Sequence, residues 1–116
     1  MANTFKIKTN DAMPSSAGTP LTLYTVPSNT TAIILGLMLC NVDSTQRTVD
    51  VHIESDTSDT ETNANVHAIK DAPIPAGSTL EVMSGNKVVL QTTDVLKIDC
   101  DVAAKIDATL SIMEIT

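Results

Sequence analysis

Aromatic residues are almost absent from this sequence. Its 116 residues include no tryptophan, and Phe5 and Tyr24 are the two aromatic side chains. A hydrophobic core must therefore be built mainly from valine, isoleucine and leucine. Valine, isoleucine and threonine are branched at Cβ and fit a pleated sheet better than a helix. The composition favours an all-β domain, and it offers little for a sugar-binding platform, which uses exposed aromatic faces.

Positive charge is also scarce. Seven lysine and arginine residues stand against 14 acidic residues, the formal net charge is −7, and Arg47 is the single arginine. Binding to a nucleic-acid backbone depends on clustered lysine and arginine, so the composition argues against nucleic acid as a partner. The first residues lack the apolar stretch of a secretory signal, so we expect synthesis in a cytoplasm.

No apolar run is long enough to cross a membrane as a helix. The longest, residues 32–40, has nine residues, whereas a spanning helix needs about 20. Pro27 and a polar segment at 41–44 bound this run, which predicts a central strand buried on both faces. Gly36 inside it predicts a bulge or a close backbone approach.

Several segments alternate apolar and polar residues, as half-buried strands do. The clearest are 49–54, 96–102 and 106–112, and weaker ones are 5–9, 21–26, 65–70, 79–83 and 87–91. Eight or nine short strands without an amphipathic helix predict a two-sheet antiparallel β-sandwich, of jelly-roll or immunoglobulin-like type. We expect one sandwich domain at 18–116, preceded by an N-terminal arm or edge strand at 1–17.

Two stretches share one pattern of turn residues. VPSNTTAII at 26–34 and IPAGSTLEV at 74–82 each place proline second, asparagine or glycine fourth, and two hydroxyl residues before an apolar segment. Proline presets φ for a β-turn, and asparagine and glycine tolerate positive φ. Both stretches are therefore predicted to be corners that lead into strands.

No motif for catalysis stands out. The four glycines are isolated, and no serine lies in a G-x-S-x-G elbow. Asp99 and Asp101 are predicted on one face of a strand, where a solvated face is a better interpretation than a glycosidase pair. The sequence predicts a protein that is not an enzyme.

Two parts of the sequence carry side chains that could bind a metal ion. The acidic loop at 55–63 contains Asp56, Asp59 and Glu61, but it lacks the spacing and the glycine of a calcium loop, so a solvated loop is favoured. His52 and His67 could share an ion if their strands are neighbours. No third ligand is indicated, so surface histidines are favoured.

The two cysteines, Cys40 and Cys100, are predicted at inward-facing ends of apolar strands. They could form a disulfide between the sheets. Two buried thiols are favoured, because a chain made in a cytoplasm seldom forms a stable disulfide.

Most of the chain resembles one group of viral proteins. The resemblance covers residues 22–115 and rests on LYTVPSNTTAIILGLMLCNVDSTQRTVDVHI, KDAPIPAGSTLEVMSGNKVVLQTTDVLKI and the closing LSIMEIT. These stretches are similar to small β-sandwich structural proteins in the virions of tailed bacteriophages, especially of marine and cyanobacterial hosts. Similar sequences carry glycine before Asp94, whereas this chain has Thr93, which bears on the tightness of that turn.

The resemblance implies a structural role in a virion, reached after synthesis in the host cytoplasm. It favours a capsid decoration, or cement, protein that stabilises the head, with a neck, tail or baseplate and fibre-adaptor component as the alternative. A carbohydrate-binding sandwich is a further alternative. The expected partners are the major capsid protein or other virion proteins and further copies of the chain, most simply as a trimer, with no cofactor, nucleic acid or membrane. Phe5 and Ile7 are the candidate partner-binding residues, as apolar anchors on one face of a strand.

Overall fold

A computed structural model describes residues 2–13, 20–55, 63–83 and 86–116 of the protein. Within these ranges the chain forms nine β-strands and no helix, which confirms the all-β prediction. The strands are β1 (Asn3–Asn10), β2 (Leu21–Thr25), β3 (Thr31–Asn41), β4 (Arg47–Glu54), β5 (Val66–Ile74), β6 (Thr79–Glu81), β7 (Val88–Leu90), β8 (Val95–Cys100) and β9 (Ile106–Ile115).

The strands form two antiparallel sheets. Sheet A has the order β1-β9-β3-β6, with the short β7 also paired to β3, and sheet B has the order β2-β8-β4-β5. The pairing is nested: β1 pairs with β9, β2 with β8, β3 with β6, and β4 with β5. In these eight strands the first pairs with the last, the second with the next to last, and so on inward, as in one long hairpin. The hairpin folds so that its pairs alternate between sheet A and sheet B. This arrangement is a jelly roll, so the topology decides between the two sandwich types that the sequence left open.

Alternating strands place their apolar side chains between the sheets. Leu96, Ile98 and Cys100 of β8 are buried, as predicted, and β9 buries the predicted residues Ile106, Ala108, Leu110 and Ile112. Val102 departs from the prediction because β8 ends at Cys100, and Val102 lies half-buried in the following turn. The core is aliphatic, as the composition requires.

The prediction that residues 32–40 are buried on both faces was wrong. Ile34 and Leu37 are fully buried, while the Leu35 side chain between them is 36% exposed. The pairing with β9 shifts register between Ile34 and Gly36, which confirms the predicted bulge. A bulge inserts one extra residue and reverses the alternation beyond it. Buried side chains of β3 therefore face the core both before and after the bulge. The remaining side chains of β3 are also mostly apolar, but they lie on the outer side of sheet A.

The two predicted corners are confirmed. Asn29 has φ 54° and Gly77 has φ 74°, so the matching positions of the two stretches both adopt left-handed backbone. One corner leads into β3 and the other into β6. Thr93, where similar sequences carry glycine, also lies in this region at φ 72°. The tight turn is thus kept with a β-branched residue.

Asn41 connects the end of β3 to the loop that follows it and to the end of β5. Its side chain is fully buried, and its amide donates to the carbonyl oxygens of Thr45 and Ile74, both at 2.9 Å. Its side-chain oxygen accepts from the amide of Asp43 at 2.8 Å. The polar group is therefore satisfied inside the fold, as buried polar groups must be.

Two regions singled out in the sequence lie outside the described residues. They are the proposed boundary between 17 and 18 and the acidic residues Asp56, Asp59 and Glu61 of the calcium hypothesis. The part of the chain that is described contains no helix with the length and hydrophobicity to cross a membrane.

Candidate interaction surface

The N-terminal strand β1 is an edge strand of sheet A. It pairs with β9 along its whole length, from Asn3 opposite Ile115 to Asn10 opposite Ala108. Residues that face each other in an antiparallel pair share a side of the sheet. Lys6 lies opposite the buried Ile112, so it points to the core side, and Phe5 and Ile7 consequently point outward.

A polar network anchors β1 on the core side. The ammonium of Lys6 lies 2.8 Å from a carboxylate oxygen of Glu114, which is 5% exposed. The hydroxyl of Tyr24 on β2 donates to the other oxygen of Glu114 at 2.5 Å. The bonds from Lys6 and Tyr24 lower the pKa of Glu114, and burial together with the neighbouring carboxylate raises the pKa of Tyr24. The lowered pKa means that Glu114 is ionised at neutral pH. Its carboxylate links the edge strand β1 of sheet A to β2 of sheet B.

A row of four apolar side chains crosses the outer side of sheet A. The register places Phe5 opposite Met113, Met113 opposite Ile33, and Ile33 opposite Val89. The row therefore runs through β1, β9, β3 and β7. Phe5 at its β1 end is 71% exposed, and Val89 at its β7 end is 59% exposed.

Further apolar residues widen this row. Ile7 is 65% exposed and follows Phe5 on the same side of β1, and Leu35 in the bulge of β3 is 36% exposed. We call the whole patch the outer apolar face; its members are Phe5, Ile7, Ile33, Leu35, Val89 and Met113. Large contiguous apolar patches are uncommon on soluble monomers and mark sites of interaction.

The sequence identified only part of the outer apolar face. Phe5 and Ile7 were the candidate binding residues, whereas Ile33, Val89 and Met113 were missed. The sequence does contain a signal for an apolar outer side, because both the odd-numbered and the even-numbered residues of 32–40 are apolar or glycine. That pattern predicts burial on both sides, but a strand with one side in the core and an apolar outer side has the same pattern.

Two histidines meet on the outer side of sheet B. His52 on β4 lies directly opposite His67 on β5, and their ring centroids are 4.3 Å apart. Asp50 is the third group, since its carboxylate and the two imidazoles place one ligand atom each within 4.8 Å of one another. The sequence named the two histidines and missed the aspartate.

The two other predicted pairs, the cysteines and the aspartates Asp99 and Asp101, do not come together in the structure. Cys40 lies in sheet A and Cys100 in sheet B, and both are free thiols. Cys40 was expected to face inward but is only half-buried; burial raises the pKa of Cys100. Asp101 lies beyond the end of β8, where its carboxylate is 3.9 Å from Arg47, so it does not share a strand face with Asp99.

The fold is similar to that of chains from two viral particles. A chain of the T13 IBDV viral particle aligns with a TM-score of 0.59 and 13% identity, over 97% of this chain and 30% of that one. A chain of the infectious bursal disease virus VP2 subviral particle aligns with a TM-score of 0.51 and 13% identity, over 97% of this chain and 32% of that one. The protein thus spans about a third of each viral chain. No protein-family model and no curated protein matches the sequence, and at this identity the likeness to the two viral chains concerns the fold alone.

Proposed function

We propose that the protein is a non-enzymatic structural component of a virion and that it binds the particle through its outer apolar face. The row from Phe5 to Val89 carries this proposal. None of these four side chains belongs to the core cluster between the sheets, so packing of that core does not account for an apolar row on the outer side. Covering them with another protein surface removes apolar area from water and stabilises the assembly.

The fold supports a virion role. Jelly rolls are common among viral capsid domains, and both solved structures described above come from viral particles. The resemblance of the sequence to small tailed-phage virion proteins points in the same direction. The finer proposal is a decoration protein of a phage head that contacts the major capsid protein and assembles as a trimer.

The edge strand β1 suits this form of binding. Within the described part of the chain β1 pairs with β9 alone, so its other edge is open for a strand of a neighbouring protein. Phe5 and Ile7 would then add side-chain contacts beside the backbone hydrogen bonds of that pairing. Symmetric repetition of one such contact over a shell is how a small protein stabilises a capsid.

The exposed surface offers little for sugar binding. Tyr24 is buried against Glu114, which leaves Phe5 as the single exposed aromatic residue of the chain. A sugar platform with one phenylalanine would be weak.

A protein in the neck or tail could use the same apolar contact as a protein on the head. The number of copies in each particle distinguishes these two positions.

The binding surface is tested with matched variants. Phe5→Glu and Val89→Glu each place a charge at one end of the row, and Thr22→Glu places one on an exposed position of sheet B. We expect the first two variants to fold normally and to lose incorporation into particles, while Thr22→Glu is incorporated as the wild type is. Normal incorporation of both row variants would exclude the outer apolar face as the binding surface.

Placement is tested on purified virions by quantitative protein gels and by heat release of DNA. A decoration protein is expected in copy numbers on the order of those of the major capsid protein, and its removal should lower the temperature at which full heads release DNA. A few copies per particle, unaltered head stability and defective tails would assign the protein to the neck or tail. Its absence from virions would contradict the proposed function.

A further inference from the structure

We infer that Asp50, His52 and His67 form a binding site for a divalent transition-metal ion of the Zn²⁺ class. The site lies on the outer side of sheet B, on the opposite side of the sandwich from the outer apolar face. It is independent of the proposed virion role. The donors are two imidazole nitrogens and one carboxylate oxygen.

The three donors are close enough to share one ion. His52 and His67 are direct register partners, and their rings are tilted by 48° with centroids 4.3 Å apart. One ligand atom from each histidine and from Asp50 falls within a 4.8 Å span. Zinc binds nitrogen and oxygen at about 2.0–2.2 Å, so tetrahedral ligands are on the order of 3.3 Å apart. Binding therefore requires the three donors to move closer together, and the exposed His67 ring is the one of the three that solvent leaves room to rotate.

An unpaired nitrogen gives a second, independent reason. Nε2 of His52 is the one buried side-chain nitrogen or oxygen without a hydrogen-bond partner in the described parts of the chain. Buried polar atoms normally have a partner, because losing water without replacement costs free energy. A metal ion bound to Nε2 of His52 would supply the missing interaction.

Irregular pairing between β4 and β5 brings the Asp71 amide to Asp50, the third proposed ligand. The pairing of β4 with β5 shifts register on both sides of Val51. Asp71 on β5 has φ 51°, and its amide donates to Oδ1 of Asp50 at 2.5 Å. Bulges often redirect side chains next to functional sites, and hydrogen bonds to a ligating carboxylate fix its orientation.

The surrounding charges favour a cation. Lys97 on β8 is the register partner of His52 on its other side, but its ammonium lies 3.0 Å from Glu54 and is neutralised by it. Asp99 is the register partner of Asp50 and adds negative charge. Carboxylates therefore outnumber ammonium groups across this part of the sheet.

The donor set selects the kind of ion. Calcium and magnesium require mainly oxygen ligands, whereas imidazole suits zinc, copper and nickel. Three protein ligands leave the fourth tetrahedral position to water. An ion shared by β4 and β5 would also tie the edge strand β5 to its neighbour.

The test uses the full chain without a histidine tag, freed of metal by chelation. Calorimetric titration with ZnCl₂ should show one ion per chain, and saturating Zn²⁺ should raise the midpoint of thermal unfolding, with no effect of CaCl₂ or MgCl₂. The chain has two histidines, so nitrogen-detected NMR of the imidazoles can report both ligands directly. Both rings should shift on addition of Zn²⁺.

Variants separate this site from other zinc-binding groups. His67→Ala removes an exposed ligand and should lower the affinity by more than the roughly 100-fold lost with an outer-shell partner. Asp50→Asn keeps an acceptor for the Asp71 amide and should also weaken binding, while Lys70→Ala on the same strand should bind as the wild type does. Absence of zinc binding, or unchanged affinity in His67→Ala and Asp50→Asn, would overturn the inference. A thiolate charge-transfer band with Co²⁺ would assign the ion to a cysteine and overturn it as well.

Discussion

Tyr24 and Glu114 join the two sheets of the jelly roll through one hydrogen bond. The phenol hydroxyl on β2 donates to the buried carboxylate on β9 at 2.5 Å, and Lys6 on β1 holds the second carboxylate oxygen. The edge strand that carries Phe5 and Ile7 is thereby fixed from its core side. The position of Phe5 and Ile7 on the outer side thus depends on a polar contact on the opposite side of their strand.

Tyr24→Phe should destabilise the protein by about 1.5–3 kcal/mol, the range for a hydrogen bond to a charged group. The substitution removes the hydroxyl alone and leaves a carboxylate with one partner fewer in a buried position. Urea unfolding measures the effect. Thr22→Val on the same strand, at an exposed position, is the control and should change stability by less than about 0.5 kcal/mol. Equal stability of Tyr24→Phe and the wild type would show that the hydrogen bond contributes nothing.

Acid should weaken the same contact. The pKa of Glu114 is lowered in the folded protein, chiefly by Lys6 and then by Tyr24. The stabilisation is therefore complete above the unfolded pKa of about 4.3 and is lost as the pH falls through the lower folded value. Urea unfolding at a series of pH values should show this loss in the wild type. Lys6→Met should reduce it and Glu114→Gln should abolish the contribution; identical pH profiles for all three proteins would contradict the assignment.

The bulge in β3 predicts opposite outcomes for the two leucines that flank Gly36. Leu37→Asp buries an unpaired charge in the core and should prevent folding, at a cost of several kcal/mol. Leu35→Asp should give a soluble, cooperatively folded protein, because this side chain points outward. The sequence alone predicts failure for Leu35→Asp as well. Soluble expression and thermal unfolding of the pair decide between the two descriptions of the strand.

Thr93→Gly should stabilise the protein by about 0.5–1 kcal/mol. A β-branched residue at φ 72° carries a conformational penalty that glycine avoids, offset in part by the larger entropy of glycine in the unfolded chain. The amide of residue 93 donates to the carbonyl of Val26 at 3.1 Å, and glycine retains this bond. Glycine loses the local bond from the threonine hydroxyl to the carbonyl oxygen of Thr92, which we expect to cost less than the strain. Thr25→Gly, at an exposed strand position with ordinary backbone, should be destabilising. Loss of stability in Thr93→Gly would mean that the threonine side chain contributes more than the strain costs.

The regular strands and the corners could be predicted from the sequence because their causes are local. Alternation in β8 and β9 follows from the two sides of a strand, and Asn29 and Gly77 occupy positions where proline-containing turns require positive φ. The bulge at Gly36 was predicted from the same kind of local signal. Its effect on which side chains face the core could not be predicted without knowing where the register shifts.

The candidate sites depend on contacts between distant strands. The row from Phe5 to Val89 exists because β9 lies between β1 and β3, an order that no single segment reveals. Asp50 joins the histidines because bulges in the β4 and β5 pairing bring the three groups together. Periodicity assigns a side to each residue, but pairing and register decide which residues meet.

The nested pairing also sets the order in which the protein can fold during synthesis. The interior strand β9 is made after every strand that it must join, so β1 and β3 leave the ribosome long before their shared partner exists. Until then one edge of β3 lacks its partner, because β6 and β7 pair along the other edge. Contacts between sequence-distant strands slow folding, and exposed strand edges promote aggregation. We expect the nascent chain to depend on chaperones until β9 has been synthesised and sheet A can close.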